Sequence, residues 1–240
     1  MRYYGNMNRY SRNDDTSYCL GMSLTVEALK HQSIQMKEVI LSEKVIRNQE
    51  SAAMFSLCDK NNIPYRYDDP LIDNLSVKEN CYCIGVFHKY ETMLHDNEHL
   101  ILYHFNDLND LGTVIRSAVS FDVKDIVLIG SEIDLFDPAC IRSSMGAFFQ
   151  ASIRKYDDLS AYIRDYPEHH LYVFSNKGNK ELNELKLKEP FSLLIAQDPH
   201  ELNGFESDIY TIAHHHFDDI SLAIRSSIIL ERAYELKRVR

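Results

Sequence analysis

No stretch of this chain is long and apolar enough to cross a bilayer. The opening residues, MRYYGNMNRYSRNDD, are too polar for a secretory signal. Both absences point to a cytoplasmic protein with no membrane partner. No Gly-x-Gly-x-x-Gly follows any apolar run, so an ordinary dinucleotide-binding turn is unsupported. The five cysteines show no metal-ligand spacing and read as reduced, half-buried thiols. His214-His215-His216 does not repair this. Neighbouring strand residues face opposite ways, so at most His214 and His216 share a side, with no Cys or His-Glu-x-x-His nearby. No metal is expected.

There is also no basic excess. The net charge is −10. Residues 1–90 are balanced, with 11 basic against 11 acidic side chains, and residues 91–240 carry 15 against 25. A nucleic-acid partner would therefore have to meet local positive charge. Arg2, Arg9 and Arg12, interleaved with Tyr3, Tyr4 and Tyr10, suit phosphate contact and base stacking. The same residues also fit a functionless tail, and both readings stand.

What the chain does have is alternation. At 240 residues and 45% hydrophobic content it can form one large domain or two smaller ones. In residues 1–90, Ser23 is expected to cap a helix over Leu24–His31. Val39–Ser42 reads as a strand, Ser51–Asn61 as a helix, Ile63–Tyr65 as extended, Leu75-Ser76 as a turn, and Cys83–His88 as a strand. This order predicts a small α/β sandwich, followed by a polar linker at 91–98. In residues 99–240, strands are expected at Leu100–Phe105, Ile126–Ile129, Leu171–Phe174, Phe191–Ala196 and Ile209–Ala213, with an extended run at Phe148–Ile153. Helices are expected from a cap at Asn109 or Asp110, from Pro138 to near Gly146, over Asp157–Asp165, and along the last twenty residues. Continuous apolar strands between helices predict a parallel sheet buried on both faces.

One stretch carries more. In Asn106–Gly130, a polar turn with Asn109 and Gly112 leads into a helix bearing a buried-looking Arg116 and closes on an apolar strand. This resembles the first signature of the SpoU–TrmH branch of the SPOUT superfamily, whose turn reads roughly N-x-G-x-x-x-R. Ser143-Ser144-Met145-Gly146-Ala147 resembles that group's S-x-G-A turn, and Ser221-Leu222 resembles the start of its Ser-Leu-Asn motif. Two motifs have drifted. Ala196-Gln197-Asp198 stands where the group has Gly-Asn/Ser-Glu, and Ala223 stands where it has Asn. Asp198 fits either a shortened site carboxylate, drawn back by roughly 1.5 Å, or a turn residue before Pro199.

The resemblance implies an α/β fold: a C-terminal parallel-sheet domain at 99–240 with a SPOUT-like trefoil knot, and a small N-terminal α/β domain at 1–90 that recruits RNA. It implies S-adenosylmethionine as cofactor, held by Ala196, Gln197, Ile212 and Leu222, and tRNA or rRNA as partner. It implies methyl transfer to a ribose 2′-hydroxyl, with Arg116, Asn109, Ser221 and Asp198 at the reaction centre and a homodimer as the working form. The drifted motifs leave an alternative, a catalytically weakened relative that binds RNA without turnover. A further alternative is an unrelated, unknotted α/β nucleotide-binding protein.

Overall fold

A computed structural model describes residues 10–76, 80–175, 178–196, 208–212 and 220–238. The chain divides into two compact units. The first is built from the described residues of Met1–Tyr90 together with Asp134–Phe149, and the second from those of Glu91–Ile133 and Gln150–Arg240.

The first unit holds a four-stranded sheet with strands β1 (Thr16–Leu20), β2 (Met36–Leu41), β3 (Tyr65–Tyr67) and β4 (Cys83–His88) in the order β1-β4-β2-β3. Strand β4 runs antiparallel to β1 and β2, and β3 is parallel to β2. The helices are α1 (Met22–His31), α2 (Gln49–Asn61) and α3 (Asp69–Leu75). Three expectations change here. Strand β1 was not anticipated, although Ser17, Tyr18 and Cys19 are all buried. Helix α1 starts at Met22, with Gly21 rather than Ser23 in the cap position and no side-chain cap; the Ser23 hydroxyl donates to Glu50 at 2.5 Å. The expected turn at Leu75-Ser76 is the end of α3, which Asp68 caps and Pro70 opens.

The short segment Asp134–Phe149 brings aromatic rings into the first unit. Phe149 meets Phe87 edge-on at 5.3 Å, and Phe136 meets Tyr90 at 5.5 Å. Residues 147–150 form a 3-10 turn where an extended run was expected.

The second unit is a seven-stranded, all-parallel sheet. Its strands are β5 (His99–Tyr103), β6 (Asp125–Ile129), β7 (Ser152–Tyr156), β8 (His170–Phe174), β9 (Lys180–Glu181), β10 (Phe191–Ala196) and β11 (Ile209–Thr211). They lie in the order β7-β6-β5-β10-β8-β11-β9. The late strand β10 lies between two earlier ones, Leu194 pairing with Ile101 of β5 and with Val173 of β8. Every residue of β6 and β10 is buried, as the apolar runs imply for strands covered on both faces. The helices are α4 (Leu108–Ser120), α5 (Pro138–Ser143, in the first unit), α6 (Leu159–Asp165) and α7 (Leu222–Arg238). Helices α4 and α7 touch through the hydroxyls of Ser117 and Ser227, 2.9 Å apart.

A polar chain is buried at the amino ends of these strands. His99 Nε2 lies 2.7 Å from the carbonyl of His95, which can only accept, so Nε2 carries the proton. In the neutral ring Nδ1 then accepts from Tyr162 Oη at 2.7 Å. The Tyr162 oxygen in turn accepts from Ser192 Oγ at 2.6 Å, and Ser192 accepts from His169 Nδ1 at 2.8 Å. One carbonyl thus fixes the direction of the whole chain. Burial pushes the pKa of both His99 and His169 down. Among the described residues no helix is long and apolar enough to span a membrane.

Candidate functional site

The opposite, carboxyl edge of the second unit's sheet is where open α/β sheets bind ligands. There β5 ends at Tyr103, β6 at Ile129, β10 at Ala196 and β11 at Thr211, and helices α4 and α7 begin. Helix α4 is capped by Asp107, not by Asn109 or Asp110. The Asp107 carboxylate accepts the amides of both those residues at 2.9 Å. Asp107 has extended backbone geometry just outside the helix, whereas Asn109 and Asp110 already lie in its first turn.

Arg116 is exposed, not buried as its setting implied. The buried stripe of α4 is Leu111, Val114, Ile115 and Ala118, and Arg116 falls off it. Asn109, Thr113 and Arg116 instead form an exposed stripe at i, i+4 and i+7. Among the described residues the Arg116 guanidinium has neither a hydrogen bond nor an ion pair. Asn109 and Arg116 are about 10.5 Å apart along the helix axis. Counted back from Gly112, moreover, the Asn of an N-x-G turn falls on Asp110, one residue past Asn109.

Ala196 is buried at the end of β10, Leu222 is buried in the first turn of α7, and Ile212 is half-buried just past β11. Ser221 is exposed, and its hydroxyl accepts from the Ile224 amide at 3.4 Å. Gln197, Asp198 and His214–His216 lie outside the described residues, as do Arg2 and Arg9. Arg12 is exposed in the first unit, where its carbonyl accepts from Lys89 Nζ at 2.8 Å. The Ser143–Ala147 turn follows α5. Met145 and Gly146 both have positive φ, and a Cβ on Gly146 would come within 2.8 Å of the Glu27 side chain.

Two residues at the carboxyl edge escaped the sequence reading. His104, just past β5, has φ 52 and stacks on Tyr103 with ring centroids 4.3 Å apart. It also fills the space a side chain would need at Gly130, where a Cβ would sit 2.3 Å from the imidazole. Nothing in the sequence signals this packing. Arg225 is only 4% exposed. Its Nη1 donates to the Ala196 carbonyl at 3.3 Å and its Nη2 to the Ile220 carbonyl at 3.1 Å. Its signal was legible, because Leu222, Arg225 and Ile229 recur at i, i+3 and i+7, so a charge occupies the apolar stripe. Ile224 falls off that stripe and is exposed.

The family model described as SpoU rRNA Methylase matches residues 97–218, just over half of the chain. No curated protein matches. Among solved structures, an AdoMet-bound rRNA methyltransferase from Sinorhizobium meliloti superposes with a TM-score of 0.75 at 19% identity, covering 92% of this chain and 87% of that one. The SpoU methyltransferase AviRb from Streptomyces viridochromogenes, in complex with AdoMet, gives 0.78 at 14% identity, covering 94% and 92%. An RNA 2′-O ribose methyltransferase gives 0.74 at 16% identity, covering 93% and 90%. At these identities the likeness establishes the fold, an α/β architecture on a parallel sheet shared with these methyltransferases.

Proposed function

The chain belongs to the SpoU rRNA Methylase family, and from that membership we propose that it is an S-adenosylmethionine-dependent RNA methyltransferase acting on a ribose 2′-hydroxyl of tRNA or rRNA. The observation that carries the chemistry is the exposed Arg116 guanidinium, with no partner among the described residues, on one polar stripe with Asn109. A permanently charged group held out to solvent, about two turns into the helix that begins at the ligand-binding edge, suits a phosphate or ribose.

The residues at the edge fit the cofactor. Ala196 and Leu222, both buried at the ends of β10 and α7, would form an apolar floor under it, and the half-buried Ile212 adds to that floor. Gln197 and Asp198 follow directly on β10 and belong to the same reading. Bound S-adenosylmethionine would supply an electrophilic sulfonium methyl. Arg116 would place the ribose hydroxyl for in-line attack on that carbon. A guanidinium is too weak an acid to serve readily as a base, so its role is positioning and charge stabilisation. No hydrogen bond joins Asn109 to Arg116, and the spacing between them favours separate contacts with substrate. Ser221 offers a hydroxyl just before α7. In the first unit, Arg12, with Arg2 and Arg9, would contact RNA phosphates.

The insertion of β10 between β5 and β8 supports a trefoil knot, and a homodimer in which two chains complete each RNA site belongs to the same reading. A second function has one observation in its favour. Ala223, which stands where the resembling motif has Asn, is buried, so the site lacks an amide there. That substitution favours a relative that binds RNA without turnover. The two are separated by methyl transfer from labelled S-adenosylmethionine to total RNA, with Arg116→Ala as control. Label in RNA ribose that disappears in the variant supports the enzyme. RNA binding without label supports the binder.

A further inference from the structure

We infer that Arg225 is a positioning residue for the cofactor site, a role that rests on the reading of the carboxyl edge given above. Its guanidinium bonds the last carbonyl of β10, at Ala196, and the carbonyl of Ile220, just before α7. Its own amide donates to the Ser221 carbonyl at 2.9 Å. One side chain thus ties together the exit from β10 and the entry to α7, the two backbone segments that bracket residues 197–219. Leu222 and Ala196, two of the apolar residues assigned to the cofactor, sit on the segments being tied.

Burying a guanidinium carries a large desolvation cost. A Leu or Met would fill the same stripe of α7 without that cost. What an arginine adds is a rigid fork of donors that fixes two carbonyls at a set separation. Holding binding segments in their bound geometry before the ligand arrives raises affinity by lowering the cost of ordering them. Arg225 therefore acts through the backbone it holds and does not touch the reacting atoms.

The test is calorimetric titration of the full chain with S-adenosylhomocysteine, for the wild type, Arg225→Met and Arg225→Lys, each checked by thermal melting. Methionine keeps the volume and removes every donor; lysine keeps the charge and can hold one carbonyl. The expected result is an Arg225→Met variant that melts cooperatively yet binds tenfold or more weakly, about 1.4 kcal/mol. Arg225→Lys should recover part of that loss, which a purely space-filling role would not produce. Tyr162→Phe, at the opposite edge of the sheet, is the control for lost stability and should bind as the wild type does. A folded Arg225→Met variant with wild-type affinity overturns the inference. If methionine prevents folding, wild-type affinity in Arg225→Lys overturns it equally. Failure of the wild type itself to bind refutes instead the assignment of the edge to S-adenosylmethionine.

Discussion

Tyr162→Phe is the sharpest probe of how the second unit is held together. Tyr162 is 1% exposed. Its ring stacks on Tyr166 with centroids 5.2 Å apart, and phenylalanine would keep that packing. Only the hydroxyl is lost, and with it the donor to His99 Nδ1 and the acceptor for Ser192. The Ser192 hydroxyl can rotate, but the buried His99 lone pair cannot find water. A buried group left in this state costs about 1–3 kcal/mol. Urea unfolding followed by circular dichroism at pH 8 should show that loss. The pH dependence follows from the same atoms. Desolvation lowers the pKa of His99 and His169 in the folded state, against the pull of Asp125, Asp96 and Glu98 on His99. The unfolded chain therefore binds more protons in acid. The stability these rings contribute is complete above about pH 6.5 and falls as pH drops from there toward the lowered folded values, by up to about 1.4 kcal/mol per pH unit for each ring. Losing the Tyr162 donor removes a contact that favours neutral His99, so the acid slope should become shallower in the variant. A cost below about 0.5 kcal/mol, or wild-type stability that stays flat from pH 7.5 to 5.5, would refute the directed chain.

Other substitutions separate architecture from chemistry. Arg116→Ala should abolish methyl transfer to RNA while leaving melting temperature and S-adenosylhomocysteine affinity unchanged, because the side chain is exposed; a drop in stability would mean it is part of the core. Asp107→Ala should cost about 1 kcal/mol in thermal unfolding, since it removes the acceptor for two amides at the start of α4. Gly146→Ala should destabilise the first unit by about 1–3 kcal/mol, because φ is 91 and the new Cβ would meet Glu27 at 2.8 Å; chemical denaturation with intact secondary structure as the starting point measures it.

Strands buried on both faces were the most legible parts of the sequence. Cys83–His88 and Phe191–Ala196 have the same limits in sequence and structure, because a continuous apolar run bounded by polar residues leaves little choice of register. Strand β1 escaped because its neighbours make a polar, tail-like context, and α3 because a seven-residue helix is too short to show a helical period. Helix starts shifted by up to three residues wherever several capping residues stand together, as at Asp107, Asn109 and Asp110.

At the site, two arginines depart from hydrophobic periodicity in opposite directions. Arg116 looks buried from its apolar neighbours, yet it lies off the stripe they define. Arg225 is charged, yet it lies on the buried stripe of α7. Hydrophobic spacing locates a face, whereas the residue type that occupies it depends on backbone carbonyls distant in sequence, here those of Ala196 and Ile220.

If the carboxyl edge of the parallel sheet holds S-adenosylmethionine, the purified chain should bind S-adenosylhomocysteine in a calorimetric titration. Micromolar binding at one site per chain, about −8 kcal/mol, is the predicted result. No heat of binding at millimolar ligand would contradict it.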